Sequence, residues 1–231
     1  MRDSIQLNVK PRVALWFLLG CVGVLVVLHV VSLLPVILAG RDYSIVYFDI
    51  TKEMNLPTLF SSCQLIAAGL LCFVIGLAER LRGGKFSFWF FLFAAFVWVG
   101  IDETIMIHEY ISDHLHERFE TSGAFRFAWV IPYGAALIVI LAVGARFFFR
   151  LPAVTKKQVA RAAIVFVSGG IGMEMLQSAW YDSHGFDAVY NVMNGLEEIL
   201  EMVGVSLFVY AFLDHLDREH SGLALTVSSR A

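Results

Sequence analysis

The chain has 231 residues, of which 58% are hydrophobic and 16% charged, and it carries a net charge of −3. A soluble domain carries about 25% charged residues, so this composition describes an integral membrane protein and excludes an ordinary soluble enzyme. The small negative charge, without a basic aromatic patch or a Gly-rich phosphate loop, excludes nucleic acid as an expected partner.

About 20 apolar residues cross the hydrocarbon of a bilayer. Six stretches meet that rule: 13–39, 57–79, 86–107, 127–149, 159–181 and 192–213. The expected fold is therefore all-α, a polytopic membrane bundle of six transmembrane helices forming one domain. The first stretch follows Arg2, Lys10 and Arg12. Its roughly 27 residues far exceed the 7–15 of a secretory h-region, so it reads as an uncleaved span. Residues 42–56 mix Tyr43, Ile45, Val46, Phe48, Ile50 and Met54 with charges, and are expected to form a short interfacial helix. Pro57 suits the first turn of the second span. Ser168 and Gly172 are small residues at helical spacing and predict a close helix contact. Cys21, Cys63 and Cys72 lie in apolar runs without disulfide or metal-ligand spacing. The tail after Arg218 is expected to be disordered.

Basic residues sort by connection. Arg2, Lys10 and Arg12 precede the first span; Arg80, Arg82 and Lys85 join the second and third; Arg146, Arg150, Lys156, Lys157 and Arg161 flank the link between the fourth and fifth. The alternate connections hold only Arg41, Lys52, Arg118 and Arg126. The positive-inside rule places both termini in the cytoplasm, and the expected location is a bacterial inner (plasma) membrane.

Between Arg161 and Arg218 there is no lysine or arginine, yet there are eight carboxylates: Glu174, Asp182, Asp187, Glu197, Glu198, Glu201, Asp214 and Asp217. A carboxylate at membrane depth costs about 2.5–3.5 kcal/mol on insertion scales, so it needs a metal, a proton or a polar neighbour. At about 1.5 Å of rise per residue, Asp102, Glu103, Glu174, Glu197, Glu201, His29 and Gln64 all fall in the outer third of the core. A continuous third helix aligns Asp102, Met106, Glu109 and Asp113 on one stripe. The fifth span presents Glu174, Gln177, Ser178 and Tyr181 together, and the sixth presents Asn194, Glu197 or Glu198, and Glu201.

Imidazole with carboxylate suits zinc, iron or manganese. The candidate ligands are His108, Glu174, Glu197 and Glu201, with Glu103 and Glu109 as catalytic acid–base groups. Asp102, Gln177, Asn194, Glu198, His29 and His184 form a supporting set. Each has a plainer role to set beside this one. The buried acids could be protonated and simply hydrogen-bond helices together. His114, His116, Glu117 and Glu120 read as an exposed amphipathic extension. His184 reads as a loop residue. Trp129, Tyr133, Trp180 and Tyr190 read as an aromatic belt at the interface. His215 and His220 lie at the opposite end and fall outside this cluster.

Asp102-Glu103-x4-His108-Glu109 followed by Glu197-Glu198-x-x-Glu201 resembles a motif set of small, uncharacterised bacterial multi-pass membrane proteins. The resemblance spans the third to sixth helices and implies the membrane fold without an activity. The chain departs from di-metal carboxylate bundles, because it lacks Glu-x-x-His. It also departs from alkaline-ceramidase-type zinc hydrolases, which have seven helices, a Ser-x3-His pair and a closing His-x3-His.

Three functions follow from these residues. The first is a metal-dependent enzyme, a hydrolase or oxidoreductase, acting on a lipid or small apolar substrate. The second is a proton- or cation-coupled transporter. The third is a non-catalytic membrane component that uses the acids for binding or sensing. The lipid bilayer is the one certain partner, and the sequence is silent on oligomeric state.

Overall fold

A computed structural model describes residues 9–39 and 44–220. Every regular element among them is helical. Six helical segments of the described residues are long and apolar enough to cross a membrane. They comprise α1 (Pro11–Ser32), α3 (Leu56–Leu81), α4 (Ser87–Ile105), most of α6 (Val130–Arg150), the α7–α8 unit (Ala153–His184) and α9 (Ala188–Glu219). A short α2 (Leu34–Ala39) follows α1, and α5 (Ile107–Phe119) follows α4. Pro11, Arg82, Pro152 and Glu219 mark one end of the bundle, the terminal end. The connections before α3, after α5 and after α8 mark the far end.

The first predicted span, 13–39, is interrupted at Leu33, where α1 stops and α2 begins. Pro35 cannot donate a backbone hydrogen bond to Val31, and its ring crowds that carbonyl. The Ser32 hydroxyl turns back to the His29 carbonyl at 2.7 Å.

Residues 44–55 are not the expected interfacial helix. They form a 3₁₀ turn over Val46–Phe48 followed by bends, while Asp42 and Tyr43 lie outside the described residues. Short polar side chains have captured the backbone groups that a helix would use. The Asn55 amide donates to the carbonyls of Val46, Asp49 and Lys52, and its oxygen caps α3 by accepting from Thr58 N at 3.1 Å. His29 Nδ1 stands 3.2 Å from both Ile50 N and Asp49 Oδ1, so it pins this loop to α1. Burial opposes the Asp49 charge, but hydrogen bonds from His29, Ser44 and Thr51 hold its carboxyl well below the usual carboxylate range.

The central helices are α3 and α9. Leu65, Cys72, Ile75, Trp89, Val205, Phe208 and Phe212 form the principal core. Gln64 donates to Ser206 at 2.8 Å, so it joins α3 to α9 rather than entering the acidic site. At 1.5 Å per residue the 32 residues of α9 extend about 48 Å, well past a 30 Å hydrocarbon core. Helix α6 is held differently. Phe147 packs on Phe88 and Trp89, with ring centroids 4.6 and 5.1 Å apart. At the far end Tyr133 reaches Asp102, and Ile138, Val139 and Val143 remain exposed.

The close contact between the α7–α8 unit and α9 uses Gly169 and Gly204, not the predicted Ser168 and Gly172; Ser168 is exposed. A Cβ on Gly204 would stand 2.7 Å from the backbone N and Cα of Phe166. Gly204→Ala is therefore expected to destabilise the protein by about 1–3 kcal/mol through overpacking. Gly23→Ala, with nothing within 4 Å of the new methyl, should be neutral or slightly stabilising. Thermal denaturation of the two variants in detergent measures the difference.

Candidate functional site

The site begins at a helix break. Met106 adopts a left-handed conformation, with φ 55° and ψ 43°, and separates α4 from α5. An L-residue pays about 1–2 kcal/mol for this conformation. The break overturns the expected stripe of Asp102, Met106, Glu109 and Asp113, which required one continuous helix. In its place His108 folds back onto Asp102. Asp102 Oδ1 accepts from His108 N at 2.9 Å, and Oδ2 stands 3.3 Å from His108 Nδ1. Oδ2 also accepts from the Tyr133 hydroxyl at 2.8 Å.

A second break positions Glu174. Residues Ser168–Met173 form a π-helical turn between α7 (Ala153–Val167) and α8 (Glu174–His184), a feature often found beside functional sites. Glu174 accepts from Trp129 Nε1 at 2.8 Å and from Gln177 Nε2 at 2.6 Å. The same Gln177 nitrogen donates to Glu197, so one amide bridges two buried carboxylates from different helices. Gln177 Oε1 is left buried without a partner among the described residues. The His108 ring meets Trp129 edge-on at 5.2 Å, which links the two polar groups.

The far-end loop supplies a third element. One ligand atom from each of Glu53, His108 and Glu109 lies within 4.8 Å of the others. Among the described residues, Glu53 Oε2 is buried without a hydrogen-bond partner, a cost that a bound cation would remove. Burial pushes the Glu53 carboxyl up to about 7, with Glu109 and Asp102 adding to the rise and His108 opposing it. Burial works against the His108 cation, yet the Asp102 hydrogen bond and the charges of Asp102, Glu53 and Glu103 push it up to about 9.

These groups open onto a cavity of about 1230 Å³ between α6 and the rest of the bundle. Its far end is lined by Glu53, Glu103, His108, Glu109, Glu174, Asn194, Glu197, Glu198 and Glu201. Its other walls descend past Leu92, Phe96 and Phe166 to Phe147, Phe208 and Phe212. Glu198 and Glu201 are only half-buried because they face this space. Thus Glu103, His108, Glu109, Glu174, Glu197 and Glu201 all enter one cavity, and Asp102, Gln177, Asn194 and Glu198 accompany them. Among the described residues, however, Glu174, Glu197 and Glu201 do not converge with His108 on one point.

Two candidates stand elsewhere. His29 anchors the loop through Asp49, and exposed His184 stacks on Trp180 with ring centroids 4.0 Å apart; neither lines the cavity. Sequence reasoning missed Glu53, Trp129 and Tyr133. Glu53 sits in an irregular loop, where helical phase carries no information. The two aromatics read as interface residues, although each carries a polar tip that needs a partner when buried.

The chain matches the family described as Domain of unknown function (DUF8692) over residues 15–216. It belongs to that family. No curated protein and no solved structure matches it. The DUF8692 match contains every cavity residue named above, from Glu53 to Phe212.

Asp102→Ala leaves the His108 ring and backbone N–H and the Tyr133 hydroxyl without their acceptor. It should cost about 1–3 kcal/mol, whereas Tyr133→Phe should cost about 0.5–1.5 kcal/mol. Melting temperatures in one detergent, compared with an exposed control such as Glu117→Gln, check this order.

Proposed function

We propose that this protein is a metal-dependent enzyme of the bacterial inner membrane that acts on the polar head of a lipid or other apolar-tailed substrate. The observation that carries this reading is the cavity: acids and one imidazole at one end, aromatic and aliphatic side chains along the remainder. Such a shape suits a molecule with a polar head and an apolar tail, and lies beside helix α6, whose exposed apolar side chains suit contact with lipid. The sorting of basic residues supports cytoplasmic termini, with the acidic end opening to the periplasmic side. The motif resemblance to small bacterial multi-pass proteins supports the same setting.

Glu53, His108 and Glu109 are the residues that would hold the ion. Asp102 orients the imidazole from behind, as carboxylates do at many metal-bound histidines. Two carboxylates and one nitrogen suit zinc, iron or manganese. A bound metal would supply Lewis acidity or a hydroxide available at neutral pH. Glu103 lines the same cavity and is the acid–base candidate, while Trp129 and Gln177 hold Glu174 and Glu197 in place. The acids could also serve a proton- or cation-coupled carrier, but the apolar inner walls offer an ion few polar contacts at other depths.

Metal analysis of full-length protein purified in detergent without chelators tests this reading. The Glu53→Gln/Glu109→Gln double variant is expected to lose about one equivalent relative to wild type, whereas His184→Ala retains it. An unchanged metal content in the folded double variant would remove the metal from this site.

Ala136→Phe narrows the apolar part of the cavity. It should lower co-purifying lipid several-fold by mass spectrometry while leaving metal content unchanged. Equal lipid in both proteins would mean that the tail of the substrate does not occupy this space.

A further inference from the structure

At the terminal end, 136 residues apart in sequence, α3 and the end of α9 bring together a second set of metal-ligating side chains. Glu79, His215 and His220 each offer one ligand atom within 4.8 Å of the others. The two histidines are buried, with 3% and 2% of their surface exposed. His220 Nε2 stands 3.2 Å from Glu79 Oε1, yet the pair is not aligned as a hydrogen bond. Among the described residues, His215 Nε2 and both nitrogens of His220 therefore lack hydrogen-bond partners. Buried imidazole nitrogens are ordinarily paired, and leaving several unpaired at one place calls for a ligand that they share.

We propose that Glu79, His215 and His220 bind a divalent transition metal, zinc by preference, which clasps the terminal ends of α3 and α9. Two imidazoles and a carboxylate form a donor set that zinc accepts in tetrahedral sites. Calcium and magnesium favour all-oxygen ligands instead. Metal–ligand bonds of about 2.0–2.2 Å place neighbouring tetrahedral donors about 3.3 Å apart, close to the present Glu79–His220 separation of 3.2 Å.

The surroundings fit this role. Thr155 Oγ1 contacts His215 Nδ1 at 3.1 Å, which occupies one ring nitrogen and frees Nε2 for the ion. Trp89 packs on the His215 ring at 5.3 Å and restricts its rotation. Glu79 and His215 also line a pocket of about 600 Å³ whose walls include Lys85, Arg146 and Arg150. That pocket leaves room for water or a small anion as the fourth ligand. This site is independent of the far-end cavity, because Glu79, His215 and His220 are not among its lining residues.

The test uses full-length protein in detergent, stripped with a chelator, dialysed and titrated with zinc against a chromophoric competitor. Wild type is expected to bind one more equivalent than Glu79→Gln or His220→Ala. Thr155→Val should keep that equivalent but bind it about tenfold more weakly. The Glu53→Gln/Glu109→Gln protein should still bind at Glu79, His215 and His220, which separates failure of the far-end reading from failure of this one. His220→Ala alters only the residue that follows α9 and covers the case in which Glu79→Gln misfolds. Equal zinc stoichiometry and affinity in wild type and either folded variant would overturn the proposal.

Discussion

The acceptor role of Asp102 organises the far end of the molecule. One buried carboxylate receives the His108 backbone, lies against the His108 ring and receives the Tyr133 hydroxyl. It therefore joins α4, the start of α5 and α6 at one point. Met106 can hold its left-handed turn because these interactions oppose the cost of about 1–2 kcal/mol. Without that turn, α4 would continue and carry His108 away from Asp102. His108 would then leave Glu53, and Trp129 would lose the ring it packs against.

The cavity follows from the way α6 is attached. Tyr133 ties it at the far end, and Phe147 ties it to Phe88 and Trp89 at the terminal end. Between those two attachments, large aromatics on α4 and α9 meet open space as well as one another. A space of about 1230 Å³ therefore remains between α6 and the aromatic side chains of α4 and α9. Ile138, Val139 and Val143 on the outer side of α6 are exposed and apolar, as a helix that crosses a membrane requires.

Charge is distributed unevenly along the cavity. Lys52 and His108 are the basic side chains of its lining, against many carboxylates. Neutral donors carry part of the load: Trp129 and Gln177 serve Glu174, and Gln177 also serves Glu197. The terminal end uses another solution. There Asp214 pairs with Arg218 at 2.7 Å and receives Gln158 at 2.9 Å, leaving His215 free to face Glu79 and His220. The far-end cluster and the terminal cluster thus differ in chemistry: one is rich in acids around a single imidazole, the other has two imidazoles and one acid.

The membrane spans, the sorting of basic residues and the acidic character of the far end were legible in the sequence. Hydropathy and loop charge sum local free energies, so they need no knowledge of distant contacts. Gln177, Glu174 and Glu197 could likewise be placed on facing helices by depth and phase alone. The break at Met106 was not legible, because methionine carries no marker for a left-handed turn and the carboxylate that supports it acts through the folded chain. Glu53 was hidden in an irregular loop, and Trp129 and Tyr133 were hidden by a composition shared with every membrane interface. Glu79 meets His215 and His220 across 136 and 141 positions of sequence. Spacing along a chain reports faces of one helix, whereas a site joined across helices exists only once packing has set the distances between them. Hence the sequence determined which chemistry is present and toward which end of its helices, and the tertiary structure decided which atoms meet.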